Sequence, residues 1–252
     1  MAERPYVLLS AAMSLDGYLD DASDRRLILS DAADLDRVDG VRAGCDAILV
    51  GAGTVRADDP ALRVRSADRR AVRERDGKPP SPVRVTLTAG GGLDPAARFF
   101  ADDGIDALVY VPAGAAGRVR EQLGQAAATV VAGPDPLPLE WLLADLAGRG
   151  IGRLMVEGGG TVLGQFLAAG LADELQVAVA PLLVADPAAP RLLTAPGGPA
   201  EPAEPGGPTE PTEPARPAES GGPGGGWPRQ PRLEDVGRTG RMAVLRYRLI
   251  TP

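Results

Sequence analysis

Leu154–Met155–Val156–Glu157–Gly158–Gly159–Gly160–Thr161–Val162–Leu163–Gly164–Gln165–Phe166 reads as a short strand, three consecutive glycines and the opening of a helix. A buried strand that turns straight into a helix is the repeating unit of a parallel sheet. The turn is also an anion cradle, because free backbone N–H groups and the helix dipole point at whatever sits there. Glycines at 158, 160 and 164 miss the G-x-G-x-x-G spacing, and no Gly-Lys-Ser/Thr follows. The stretch is therefore neither the Rossmann fingerprint nor a P-loop. It remains a phosphate or dinucleotide site of another type, or an ordinary tight strand-to-helix turn. Glu157 stands at the strand's carboxyl end, where a catalytic or ligand-orienting carboxylate is useful.

Outward from this stretch the same alternation recurs. Apolar runs predict strands over 6–12, 47–50, 83–87, 107–111, 129–131, 154–157, 174–184 and 241–250. Helical patterns fall over 31–43, 115–128, 139–149 and 161–169, with Ser30 or Asp31 as the first N-cap and Gly150 and Gly170 as stops. The fold class is α/β, a mainly parallel central sheet with helices on both faces. The last strand follows no helix, so it is expected to pair antiparallel at a C-terminal edge.

Residues 196–231 differ in kind. They hold 11 of the 25 prolines, eight of them at a strict spacing of three. Such spacing lines one edge of a polyproline II helix, and the composition cannot bury a core. We expect one domain over 1–252, with a core of 5–194 and 232–252 interrupted by a Pro/Gly/Glu-rich insertion at 195–231. Closing so long a loop costs little more than closing a short one. The insertion reads as a tolerated surface segment or as a PxxP ligand for an aromatic groove.

Composition narrows the chemistry. Aromatics are 4%, so Ala, Val and Leu must build the core. A net charge of −7 argues against a broad nucleic-acid surface but leaves room for a locally basic pocket. With no histidine and one cysteine, Cys45, a histidine base, a His-ligated metal, a Cys-clustered zinc site and an intrachain disulfide are excluded, and no metal site is expected. Cys45 opens a buried strand and reads as a small buried thiol. Trp141 lies on a helix face and reads as core, while Trp227 stands in the Gly-rich tail. The apolar stretch 7–13 is too short for a membrane span and lacks a convincing cleavage site, so a soluble cytoplasmic protein is expected.

Two further patches carry polar groups. Ser14–Leu15–Asp16–Gly17 closes the first strand, where ligands of open α/β sheets bind, although Asp-Gly is also common in plain turns. The second patch runs through Arg42 and then, after a strand, 51–65. It is a small-residue loop with Thr54, Asp58–Asp59–Pro60, Arg63 and Arg65. Small residues admit a ligand to the backbone, and arginine grips phosphate bidentately. A solvated charged loop would read similarly.

Together these patches resemble the reductase domain of the bifunctional riboflavin-biosynthesis deaminase–reductase and its stand-alone pyrimidine reductase relatives. The matching elements are Ser14–Leu15–Asp16–Gly17, Val41–Arg42–Ala43, Asp46 to Gly51, Gly53–Thr54–Val55, Asp58–Asp59–Pro60–x–Leu62–x–x–Arg65, Glu157–Gly158–Gly159, and Asp173–Glu174–Leu175 leading to Ala180–Pro181. They occur in family order over roughly residues 5 to 185, and the Thr-Val-x-x-Asp-Asp-Pro-x-Leu-x-x-Arg string is the most specific.

The resemblance implies a dihydrofolate-reductase-like fold, NADPH as hydride donor and a homodimer. It implies that Thr54, Asp58 and the backbone near Met13 touch the cofactor. Its phosphates would lie on Gly158, Gly159, Gly160, Thr161, Val162, Leu163, Gly164 and Gln165. Ser14, Arg42, Leu62, Arg65 and Glu157 would line a phosphorylated pyrimidine, the arginines taking its 5′-phosphate. The implied reaction moves a hydride to C1′ of a ribosylaminopyrimidine 5′-phosphate. Asp58 and Glu157 are the candidate catalytic carboxylates, as orienting groups, with a carboxylic acid or bound water as proton donor. Ser10 stands where many members carry Lys, and Leu27–Ile28–Leu29–Ser30 where a Trp commonly precedes the motif. The deaminase zinc signature is absent, so a stand-alone reductase is expected. Two other readings stay open: a same-fold reductase of a dihydropterin or specialised metabolite, and a non-catalytic nucleotide-binding protein whose Pro-rich arm recruits a partner.

Overall fold

In the computed structural model, residues 4–23, 27–192 and 231–249 are described. Nine strands form one sheet: β1 (Tyr6–Ser14), β2 (Ala47–Gly51), β3 (Val83–Leu87), β4 (Ala107–Pro112), β5 (Thr129–Gly133), β6 (Arg153–Gly158), β7 (Glu174–Ala180), β8 (Arg232–Thr239) and β9 (Met242–Arg248). Their order is β5-β4-β3-β2-β6-β1-β7-β9-β8. The seven strands from β5 to β7 run parallel, whereas β9 pairs antiparallel with β7 and β8 antiparallel with β9.

Strand alternation divides the apolar side chains between the two faces. Leu9, Leu49 and Val156 point toward α5 (Leu139–Gly148) and α6 (Gly160–Ala168), packing with Leu142, Leu146, Val162 and Phe166. Leu8, Ile48 and Met155 point the other way. They meet α1 (Ala32–Ala43), α2 (Ala52–Asp58) and α4 (Ala116–Leu123) through Val38, Val41, Val55 and Val119. Each such fully buried side chain stabilises by about 1.5–3 kcal/mol, so strands covered on both faces anchor the molecule.

Chain order sets the place of the site. From β2 the chain moves outward through β3, β4 and β5. It then returns to insert β6 between β2 and β1, and adds β7 on the far side of β1. Strand order reverses at β2, β6 and β1, and the carboxyl ends of those strands open a crevice.

Several elements differ from their sequence expectation. The stretch after β2, read as a loop, is a helix over Ala52–Asp58, followed by α3 (Ala67–Arg75), which was not anticipated. Ser66 caps α3 through Arg69 N, a signal the sequence does carry. The helix expected to reach 128 stops at Leu123, because Gly124 adopts φ +54. The strand expected to reach 184 stops at Ala180, because Pro181 has no N–H to donate. The C-terminal edge is a two-strand hairpin rather than a single strand. β8 went unseen because nearly all its residues are exposed, so its pattern lacks an apolar face. Its two-residue turn puts Gly240 at φ +56. There Asp31, the cap of α1, also accepts from Arg241 N (2.8 Å).

Cys45 is buried and burial pushes its thiol up to about 11, as an inert core thiol requires. Trp141 is half-buried and packs edge-on to Tyr110 at 6.3 Å. Of the Pro-rich segment only Pro231 falls within the described residues; Trp227 and the other prolines lie outside them. Among the described residues no helix is long and apolar enough to cross a membrane.

Candidate functional site

The exits of β2 and β6 meet. Thr54, in the first turn of α2, brings its hydroxyl to 3.2 Å from where a Cβ on Gly159 would stand and to 4.0 Å from the same position on Gly158. The cleft above them has two lobes that share Gly53, Thr54 and Gly159 in their walls. The first, about 620 Å³, is lined by Asp58, Glu157, Gly158, Gly160 and Leu163, together with Leu27–Ser30. The second, about 610 Å³, runs past Thr161, Val162 and Gln165 to the ends of β3, β4 and β5.

The turn between the lobes is shaped by glycine for steric reasons. Gly159 adopts φ +42, and a Cβ on Gly160 would stand 2.6 Å from the Arg191 carbonyl oxygen. Gly159 caps α6 with no side-chain hydrogen bond, so the helix's positive end opens into the cleft. A phosphate group suits that geometry.

Glu157, at the end of β6, is held by Arg42 from the last turn of α1. Arg42 Nε donates to Oε1 (2.6 Å), Nη2 donates to Oε2 (2.5 Å), and Nη1 donates to the Arg63 carbonyl (3.3 Å). The two side chains are only 16% and 12% exposed. Burial pulls the Arg42 guanidinium down, but the charge and hydrogen bonds of Glu157 more than offset it, and its pKa rises above the ordinary value. The pair keeps Glu157 in one orientation at the floor of the first lobe, as a hydrogen-bond acceptor. Arg42 thus faces a carboxylate, not a phosphate, and three of its five N–H donors have protein partners.

The adjacent carboxylates divide their work. Asp58 faces the first lobe, while Asp59 takes φ 41 and accepts from Arg98 N (2.6 Å), fixing the chain as it leaves α2. Asp39 then accepts from the backbone N–H groups of Arg65 (2.5 Å) and Ser66 (3.1 Å). Arg65 itself is half exposed and donates to the Leu35 carbonyl (2.6 Å).

Thr54, Asp58, Glu157, Gly158, Gly159, Gly160, Thr161, Val162, Leu163 and Gln165 therefore converge on one cleft. Six expected residues stand outside the walls of the two lobes, Arg42, which reaches Glu157 from α1, being one of them. Ser14 is fully buried, donating to Asp16 Oδ1 (2.5 Å) and accepting from Tyr18 N (2.9 Å), so its hydroxyl serves its own turn. Leu62 is buried in the core at φ 43, Met13 packs on the other core face, Gly164 is buried within α6, and Arg65 lies on the rim. The motif residues Asp46 and Asp173 are structural. They accept from the backbone N–H groups of Arg153 and Val7 at the amino ends of β6 and β1.

Beyond the expected Thr161, Val162 and Gln165, the far part of the second lobe was missed. Its walls include Arg56, Thr88, Ala89 and Asp135, from the ends of β3 and β5 and from α2. The rule that ligands lie at strand carboxyl ends applies to those strands too and would have pointed there.

The sequence profile of the RibD C-terminal domain matches residues 5–202. Over 181 residues the chain is 39% identical to a 2,5-diamino-6-ribosylamino-4(3H)-pyrimidinone 5′-phosphate reductase of Archaeoglobus fulgidus, covering 72% of this chain and 82% of that one. It is 40% identical over 181 residues to the reductase of the same name from Methanothermobacter thermautotrophicus, covering 72% and 80%. The crystal structure of a pyrimidine reductase-like protein from Corynebacterium diphtheriae superimposes with a TM-score of 0.74 at 20% identity, covering 98% and 93%.

Proposed function

Because the chain belongs to the RibD C-terminal domain family, we propose that it is an NADPH-dependent reductase of a ribosylaminopyrimidine 5′-phosphate in riboflavin biosynthesis. The observation that carries this reading is the shared cleft. The uncapped start of α6 and the Thr54–Asp58 segment face one space, with a fixed carboxylate, Glu157, at its floor.

A pyridine dinucleotide fits the residues present. Gly158, Gly159 and Gly160 line the cleft with no side chain beyond Cα, and the helix end beside them suits a diphosphate. Residues 158–165 would hold the phosphates, and Thr54, Asp58 and the backbone near Met13 the nicotinamide half. When bound, NADPH supplies the hydride. The chain's own residues orient the pyrimidine and exclude water. Glu157, fixed by Arg42, accepts hydrogen bonds from the donors of the substrate. Asp58 orients the reacting ribose from the opposite wall, and Arg65 at the rim takes the 5′-phosphate. A bound water delivers the proton, since Glu157 is committed to its ion pair. The same reading includes a homodimer working in the cytoplasm.

The test is turnover by the full chain, followed by loss of reduced nicotinamide absorbance. 2,5-Diamino-6-ribosylamino-4(3H)-pyrimidinone 5′-phosphate should be reduced and dihydrofolate should not. Reduction of dihydrofolate alone would move the chain to a pterin-type activity. Cofactor binding with no turnover of either compound would make it a nucleotide-binding protein instead.

A further inference from the structure

Resting on the reading of the cleft as a dinucleotide site, we infer that Arg56 and Arg118 bind the 2′-phosphate that distinguishes NADPH from NADH. Arg56 does so from the wall of the second lobe, and Arg118 from α4, at the glycine turn beside it. Glu157 and Asp58 line the first lobe, so the reacting half of the cofactor belongs there and the adenosine half belongs in the second. The charged side chains in the second lobe's wall are Arg56 and Asp135.

The turn after β3 is held in a fixed shape by its neighbours, with Gln122 Oε1 2.6 Å from where a Cβ on Gly91 would stand. Gly91 and Gly92 adopt φ +94 and +73. Thr88 Oγ1 accepts from Gly91 N (3.0 Å) and Gln122 Oε1 accepts from Gly92 N (3.0 Å), which holds the turn rigid. Two guanidinium groups reach it from different helices. Arg56, from α2, donates through Nη1 to the Gly91 carbonyl (3.3 Å). Arg118, from α4, ends 4.0 Å from the Cβ position of Gly90. Both side chains belong to exposed residues. In a chain of net charge −7, two arginines converging on a glycine turn beside an open lobe form a local positive field suited to a dianion. Without Arg56 the wall would keep only the carboxylate of Asp135, which repels such a group.

The test compares adenosine 2′,5′-bisphosphate with 5′-AMP by calorimetry on the full chain, together with the kcat/KM ratio for NADPH over NADH. The wild type should prefer the bisphosphate and NADPH. Arg56→Ala should reduce both preferences roughly ten- to a hundredfold, the loss of one charge-assisted contact. Arg118→Ala should reduce them several-fold, and Arg56→Lys should fall between wild type and Arg56→Ala. Should Arg56→Ala fail to fold, Arg56→Gln carries the same readout. Preferences that stay at wild-type values in the Arg56 and Arg118 variants overturn the assignment, even while the wild type oxidises NADPH. A wild type that binds neither adenosine phosphate and oxidises neither coenzyme overturns the dinucleotide reading and this assignment with it.

Discussion

Two strand exits face each other across the cleft and are built differently. After β6 the chain needs glycine for its own packing: Gly159 has a positive φ, and Gly160 passes so near the Arg191 carbonyl that no Cβ fits. After β2 the glycine at 53 has nothing within 4 Å of its Cβ position and sits in the first turn of α2. The first exit is also braced from α1 through Arg42 and Glu157. A glycine that the protein's own atoms require and a glycine that they do not require look alike in sequence. The first is fixed by the fold whether or not a ligand binds there, whereas the fold gives no reason for the second.

The largest break in this contrast should come from Arg42→Ala. It leaves the Glu157 carboxylate half-enclosed without its partner, which should cost ~3 kcal/mol, the lower end for breaking a buried pair. Denaturant unfolding would show it, and kcat should fall as Glu157 loses its orientation. Unchanged stability would mean that the brace contributes nothing to the β6 exit. Gly160→Ala comes next. The atom it meets is backbone and cannot swing aside, so ~1–3 kcal/mol should be lost, read as a drop in thermal midpoint.

Gly53→Ala should move the opposite way. In a helix, alanine in place of glycine stabilises by ~0.5–1 kcal/mol, while KM for NADPH should rise if a dinucleotide runs against that turn. A lower midpoint with unchanged KM would erase the distinction between the two exits. The smallest effect belongs to the neighbouring exit of β1. Hydrogen bonds from Ser14 Oγ and from the N–H groups of Ala185 and Val184 hold the Asp16 carboxyl at about 2, below its ordinary 3.8. A depressed pKa contributes stability above the unfolded value and loses it as pH falls through the folded one. The stability difference between wild type and Asp16→Asn should therefore shrink as pH drops from 3.8 toward 2. A difference constant across that window would mean that the carboxylate's charge is not what matters.

The parallel strands were legible because burial on both faces leaves continuous apolar runs, such as Ala47–Ile48–Leu49–Val50. The helix after β2 was not, since Ala52–Gly53–Thr54 has no cap and a weak propensity; the packing of Val55 beneath it decides. Within the site, the glycine turn, Thr54, Asp58 and Glu157 were visible as residue types at strand ends. The pairing of Glu157 with Arg42 was not, because those residues lie 115 positions apart and either could have met a ligand instead. Arg56 and Thr88 went unread because their motif signal is weak and their role depends on which strands lie side by side.

Sequence by itself determined the family, the α/β class and the presence of a phosphate-suited turn, since these follow from local periodicity and short motifs. Only the tertiary structure decided which of two neighbouring carboxylates faces the cleft, that Ser14 serves its own turn, and that Arg42 braces Glu157. Such assignments depend on where side chains from distant segments end up, and strand order and packing fix that, not local composition.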